Sequence, residues 1–343
     1  MYMDSRIVKS LFILQLLSSF LVFAGHYTAL VLNYTDPFWI IALNQISRYG
    51  TVFLAIITGF FTARSLERLK GSGWSFFSGK ITYIVIPFLL FGVLYHYLLT
   101  EQLPSHRIDY LNIILGKTGG QLYFIFMLCQ YYVFAYIFRN IINKKNILVL
   151  IWVFMIFQYV YINYLHQPWL GLSTRHVLPT WIFTFYLGHI IYWYREKIIL
   201  LLKNNQPIVV GFVGISLFSA VLFVLSETTY VAVHMRFVLA TLVTLLTGLL
   251  FLFDWAEYIP VTFRKGLTFF IYLTHSAVTI LVNKTLIGYL GDIAWIFEST
   301  WYTLIYLVII YCITFGISMI LSKMMNLMEA YKRRRIKQIE GQM

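Results

Sequence analysis

Residues 10–32, SLFILQLLSSFLVFAGHYTALVL, decide the fold. About 20 apolar residues suffice to cross roughly 30 Å of hydrocarbon as a helix, and this stretch meets that length without one Asp, Glu, Lys or Arg. A helix pairs its own backbone N–H and C=O groups, which lipid cannot do for it. Comparable runs follow at approximately 39–62, 81–100, 120–138, 147–165, 178–194, 207–226, 233–253, 267–289 and 300–322. The expectation is an all-α polytopic membrane protein of about ten transmembrane helices. Composition agrees. With 60% hydrophobic and 11% charged residues, the chain lies far below the roughly 25% charged residues of a soluble domain.

Charge placement supplies an independent check on the spans. Lys and Arg gather in cytoplasmic loops of membrane proteins, and here they gather in alternate loops. Of the 26 Lys and Arg, only Arg107, Lys117 and Arg175 fall in the opposite loops, and Arg48, Arg236 and Lys284 fall inside or at the edge of spans. Both termini are therefore expected in the cytoplasm, with the chain multi-pass in the cell membrane. The net charge of +13 follows from the same bias, so no nucleic-acid partner is implied. Residues 326–343 form a short basic tail suited to lie against anionic lipid, and the rest of 1–343 reads as a single transmembrane domain. The first run lacks a small-x-small cleavage site and is expected to stay as the first helix. Cys129 and Cys312 sit inside apolar runs, so neither a disulfide framework nor a thiolate metal site is expected.

The segments between the runs are short, so function must reside in the helix bundle and its short loops. An ionisable group at membrane depth is costly unless it faces protein or water, which makes each one a candidate site. His26, inside the opening stretch, is the first. Its imidazole can serve as a general base near neutral pH, or it can hydrogen-bond between helices. Arg48 lies within the second run at a depth similar to that of His26, so the two can line one cavity in the half facing away from the cytoplasm. His275 is a second buried imidazole, read equally as packing against Tyr272 or Thr274 or as chemistry, and His189 reads as structural. Arg64, Arg68, Lys70 and Lys80 form the densest basic group outside the tail, fitted to a nucleotide phosphate or simply to topology. No His-Glu-x-x-His, Gly-x-Ser-x-Gly or Walker motif is present, so metal catalysis, a serine nucleophile and ATP-driven transport lack support.

Several segments taken in order carry a resemblance: His26, the run from Val52 to Phe61 with Thr58-Gly59, Lys80 to Pro87, Gly120-Gln121-Leu122-Tyr123-Phe124, Leu187-Gly188, and Phe270 to His275. Together they resemble the acyltransferase 3 family of ten-helix membrane proteins across essentially the whole chain. Within it the chain is most similar to the branch associated with poly-N-acetylglucosamine, whose members carry two labels, polysaccharide exporter and O-acyltransferase. The resemblance implies transfer of an acyl group, acetyl or succinyl, from cytosolic acyl-CoA as co-substrate to a hydroxyl of a carbohydrate or lipid-linked glycan. It further implies glycan synthesis machinery as a partner. His26 matches the family's helix 1 histidine, with general base as its implied role. Arg48, Gln121, Tyr123 and His275 are the expected site-lining residues, and Arg64, Arg68, Lys70 and Lys80 the expected acyl-CoA-binding ones. At two positions associated with acyl-CoA handling the chain departs from the family: Gln15 and Tyr83 stand where basic residues are common.

Overall fold

A computed structural model describes residues 5–69, 73–167, 171–226, 234–260 and 264–340, with side chains to Tyr331. The opening stretch forms α1 (Ser5–Val31), which stands against five other helices. These are α2 (Phe38–Ser47), α3 (Tyr49–Glu67), α11 (Met235–Trp255), α12 (Leu267–Leu290) and α14 (Thr300–Glu340). Its hydroxyls do not stay bare in this apolar setting. Ser10, Ser19 and Thr28 each donate to the carbonyl four residues back, at 2.8, 2.8 and 2.7 Å, the usual way a membrane helix accommodates Ser and Thr. The Tyr27 hydroxyl ties α1 to α14 by donating to the Thr303 carbonyl at 2.6 Å. Tyr27→Phe is expected to lower stability by about 1 kcal/mol, the net worth of one buried hydrogen bond, read as a lower unfolding temperature in detergent.

Eight helical segments of the described residues are long and apolar enough to cross a membrane. The two remaining expected spans correspond to the shorter apolar helix α7 (Leu122–Ile137) and to α9 (Ile182–Asn204), whose second half carries Arg195, Glu196 and Lys197. The remaining elements are α4 (Gly73–Lys80), α5 (Ile86–Thr100), α6 (Arg107–Ile114), α8 (Ile147–Val160), α10 (Gln206–Leu225) and the short α13 (Ala294–Glu298). No strand occurs among the described residues. This is an all-α multi-pass membrane protein. The outward faces fit lipid: on α10, Val210 is 71% and Phe218 66% exposed, an apolar surface that suits a bilayer rather than water.

Two departures from straight helices shape the site. The second apolar run is not one helix but α2 and α3 joined at Arg48, whose N–H reaches back to the Gln45 carbonyl. Between α4 and α5, residues Ile81–Val85 widen into a π turn, with the Ile86 N–H bonding the Ile81 carbonyl. Pro87 explains the second: it has no N–H for the Tyr83 carbonyl and its ring would crowd that carbonyl in a regular α turn.

The most extensive helix pairing is α3 with α9, and glycine sets its spacing. A Cβ built on Gly59 would strike the Phe185 backbone carbonyl, and one on Gly188 would strike the Ile56 carbonyl and the Gly59 backbone. Small residues facing each other in this way let membrane helices close to backbone contact. Charged contacts gather at one end of the bundle, where Arg6 meets Glu257 at 3.8 Å, Lys203 pairs with Asp254, and Lys265 meets Glu329 at 2.8 Å. These contacts define the basic end of the bundle.

Candidate functional site

His26 lines a cavity of about 240 Å³ in the half of the bundle away from the basic end. The α2–α3 junction supplies Arg48 and Thr51 to the same cavity, α2 supplies Asn44, α7 supplies Tyr123, and the loop before α9 supplies Arg175. None of the described side chains lining it is acidic. Asn44 is held in place by donating to the Gly25 carbonyl at 3.2 Å and to Thr28 Oγ1 at 2.9 Å, and its own Oδ1 accepts from Arg48 Nη2 at 3.4 Å. The junction at Arg48 therefore aims a guanidinium into the cavity through an asparagine braced on α1. Gly120 leaves the imidazole edge bare, where a Cβ would come into van der Waals contact with His26 Cε1 at 3.6 Å.

His275 completes the arrangement from α12. Its ring centroid lies 5.1 Å from that of His26. The side chain is fully buried; Nδ1 lies 3.1 Å from the Ile271 carbonyl, and Nε2 has no hydrogen-bond partner among the described residues. One turn earlier on α12, the Tyr272 hydroxyl donates to the Gln121 carbonyl at 2.7 Å. Gln121 is 1% exposed, with both atoms of its side-chain amide unpartnered among the described residues. Two expected lining residues thus sit behind the cavity rather than on it: His275 and Gln121 are absent from its wall, whereas Arg48 and Tyr123 are on it.

A second cavity, of about 220 Å³, lies toward the basic end. It shares α1, α3 and α7 with the first, through Gln15, Leu54 and Thr58, and Phe124 and Leu128, adds Tyr272 from α12, and is closed by Tyr83 and Lys265. At 1.5 Å per residue, the eleven-residue step from His26 to Gln15 is about 16 Å, so the two cavities are stacked along the membrane normal. Tyr123 and Phe124, consecutive at the start of α7, face one cavity each. The two residues that depart from the family pattern, Gln15 and Tyr83, both line this second cavity, and Lys265 Nζ stands 3.9 Å from the centre of the Tyr83 ring.

Farther toward the basic end, Arg64 and Arg68 line a cleft with Phe61 and Phe76. Lys80 Nζ sits 3.4 Å from the centre of the Phe76 ring and 4.9 Å from that of Tyr132, a wall residue of the second cavity. Lys80 therefore bridges the cleft and the cavity. Lys70 lies outside the described residues. His189 is apart from all of this, bonded to the Tyr131 hydroxyl at 2.7 Å.

Sequence reasoning missed Arg175, Asn44 and Lys265. A signal for Arg175 was present, because it is one of three cations that break the charge bias in the loops opposite the basic end. The structure fixes it there: the Trp181 indole N–H donates to the Arg175 carbonyl at 3.1 Å, and Trp181 is fully buried. The neighbouring His176 is anchored by Gln130 Nε2 on its carbonyl at 2.8 Å and by Ser173 Oγ at Nδ1. Burial, then the Lys117 and Arg175 charges nearby, hold the His176 imidazole below its ordinary range.

Comparison with known proteins fits this architecture. A family model described as an acyltransferase domain matches residues 8–323. Relatives named "Probable poly-beta-1,6-N-acetyl-D-glucosamine export protein" occur in Staphylococcus aureus (strain MW2), 26% identical over 182 residues, or 49% of this chain and 50% of that protein. One from Staphylococcus epidermidis is 27% identical over 181 residues, 49% of each chain. The chain thus spans about half the length of the curated relatives it matches. No solved structure matches. With a match that runs through nearly every helix and contains the His26 cavity, the chain belongs to the acyltransferase 3 family.

Proposed function

We propose that the protein is a membrane O-acyltransferase that takes an acyl group, acetyl or succinyl, from acyl-CoA at the basic end and places it on a carbohydrate hydroxyl in the His26 cavity. The observation that carries this reading is the pair of cavities stacked along α1, α3 and α7, with His26 in the wall of the outer one and Tyr123 and Phe124 of α7 facing one cavity each. A donor and an acceptor can enter from opposite ends and meet there. The basic end faces the cytosol in this reading, and the membrane is the cell membrane.

Each part of the donor finds a matching environment. Arg64 and Arg68 in the cleft suit the phosphates of the nucleotide, Lys80 stands at the passage inward, and the apolar second cavity suits the pantetheine arm. Gln15 and Tyr83, in place of basic residues, still offer that arm an amide and a hydroxyl. In the outer cavity, His26 accepts the proton of the acceptor hydroxyl as its oxygen attacks the thioester carbonyl. The C–S bond then breaks, the ester forms, and the proton passes from His26 to the departing thiolate, giving free CoA thiol. Charge developing on the carbonyl oxygen needs a donor already in place. The buried Gln121 amide, next to Gly120 of the cavity wall and with its backbone held by Tyr272, is our candidate for that donor.

An exporter, as the staphylococcal relatives are named, calls for a continuous polar passage wide enough for a glycan chain. The second cavity is lined chiefly by Leu, Ile, Phe and Tyr side chains, which favours an acyl-pantetheine arm over a sugar chain. The Arg64→Gln/Arg68→Gln double variant is expected to raise KM for acyl-CoA about tenfold with kcat nearly unchanged, the pattern of lost ground-state binding. Unchanged KM in steady-state assays with radiolabelled acetyl-CoA and succinyl-CoA would remove the cleft from donor binding.

A further inference from the structure

The His26 cavity is more basic than a neutral sugar needs. Two guanidinium groups, Arg48 and Arg175, reach it from different elements, one from the α2–α3 junction and one from the loop before α9. Neither is placed casually. Arg48 is steered by Asn44, which α1 braces through two hydrogen bonds, and the Arg175 backbone is pinned by the buried Trp181. One of the three cations found in loops opposite the basic end, Arg175, therefore faces the cavity together with Arg48, and none of the described wall residues carries a carboxylate.

Guanidinium pairs suit oxyanions because their planar N–H forks match two oxygens at once. Arg48, half-buried inside an apolar run, carries a charge that is costly at membrane depth, and an anion bound beside it offsets that cost. We infer that the His26 cavity recognises an acceptor glycan by an oxyanion it carries, a phosphate ester or a carboxylate, held between Arg48 and Arg175 while a nearby hydroxyl faces His26. This rests on the transferase reading and deepens it by naming the acceptor class: an anionic glycan, not an uncharged one. Tyr123, on the same wall and beside His176 with ring centroids 5.6 Å apart, offers the sugar ring a face to pack on.

The test is direct binding, which does not require turnover. Purified full-length protein in detergent is titrated at constant ionic strength with N-acetylglucosamine 1-phosphate, glucuronic acid and uncharged N-acetylglucosamine, followed by intrinsic tryptophan fluorescence. At least one charged sugar is expected to bind about ten times more tightly than the neutral one. The arm that wins separates a phosphate-bearing acceptor from a carboxylated one. Arg175→Gln, a loop substitution that leaves the helices untouched, should erase most of that preference, and Arg48→Lys should reduce it. Arg107→Gln, an exposed cation on α6 away from the cavity, should leave it intact. Equal affinity for all three sugars, or a preference that survives Arg175→Gln, overturns the inference. A charged-sugar preference without any acyl transfer would instead leave the anion site standing and sink the transferase reading.

Discussion

His26→Ala is expected to reduce acyl transfer by about 10²–10⁴-fold, the usual contribution of a positioned general base, while the protein accumulates and unfolds as wild type. The separation of the two effects follows from where the imidazole stands. His26 is only partly buried, borders a cavity, and packs by its ring against His275 rather than holding two helices together by hydrogen bonds. Its loss enlarges an existing cavity more than it opens a new one, so the stability cost is small beside the catalytic one. Both kcat and kcat/KM should fall together, because the interaction removed exists chiefly in the transition state. Steady-state kinetics on detergent-purified protein, with size-exclusion elution as the folding control, measures both quantities. A variant that turns over at the wild-type rate would exclude His26 as the base.

Gly188→Ala is expected to have the largest effect on stability. The added methyl would meet the Ile56 carbonyl and the Gly59 backbone, and backbone cannot step aside as a side chain can. Overpacking costs typically about 1–3 kcal/mol, and since α3 and α9 form the most extensive pair in the fold, a loss at the upper end of that range is expected. Gly211→Ala on α10 is the matched control. Among the described residues nothing lies within 4 Å of a Cβ there, and alanine is the better helix former by up to about 1 kcal/mol. Comparing the thermal unfolding of the two variants distinguishes backbone collision from a general intolerance of substitution. Loss of folded protein from Gly211→Ala, or none from Gly188→Ala, would contradict the packing role.

The helices were legible because their signal is additive: each apolar run is long, and the charge bias tests every boundary independently. The breaks inside them were less so. At Arg48 no proline interrupts the run, and the glycine two residues on, Gly50, packs against the α1 backbone at Ser18 while Asn44 bonds α1 at Gly25 and Thr28, tertiary contacts that no local pattern encodes. The π turn before Pro87 has a local cause, yet its consequence, Tyr83 turned toward Lys265, depends on the segment that leads into α12. For the site, the cost of charge at membrane depth pointed to His26 and Arg48, which the fold brings to one cavity. It could not show that His275 and Gln121 stand behind that cavity's wall, since a residue's side of a helix depends on the packing of neighbours far away in sequence. Arg175 escaped notice for a related reason: in a loop, a cation costs nothing, and only the fold over Trp181 carries it to the cavity. The glycines of the Thr58-Gly59 and Leu187-Gly188 segments, quoted for family likeness, turn out to face each other as packing contacts.

Transfer across the bundle, from a donor at the basic end to an acceptor in the His26 cavity, is open to a single decisive experiment. Proteoliposomes of determined orientation receive radiolabelled acyl-CoA only on the side of the basic end and acceptor glycan only on the other. Label is expected on the acceptor with wild-type protein and none with His26→Ala, with free CoA thiol appearing in equal amount on the donor side. Unacylated glycan crossing the membrane while the acyl-CoA stays intact would contradict a transferase and favour an exporter.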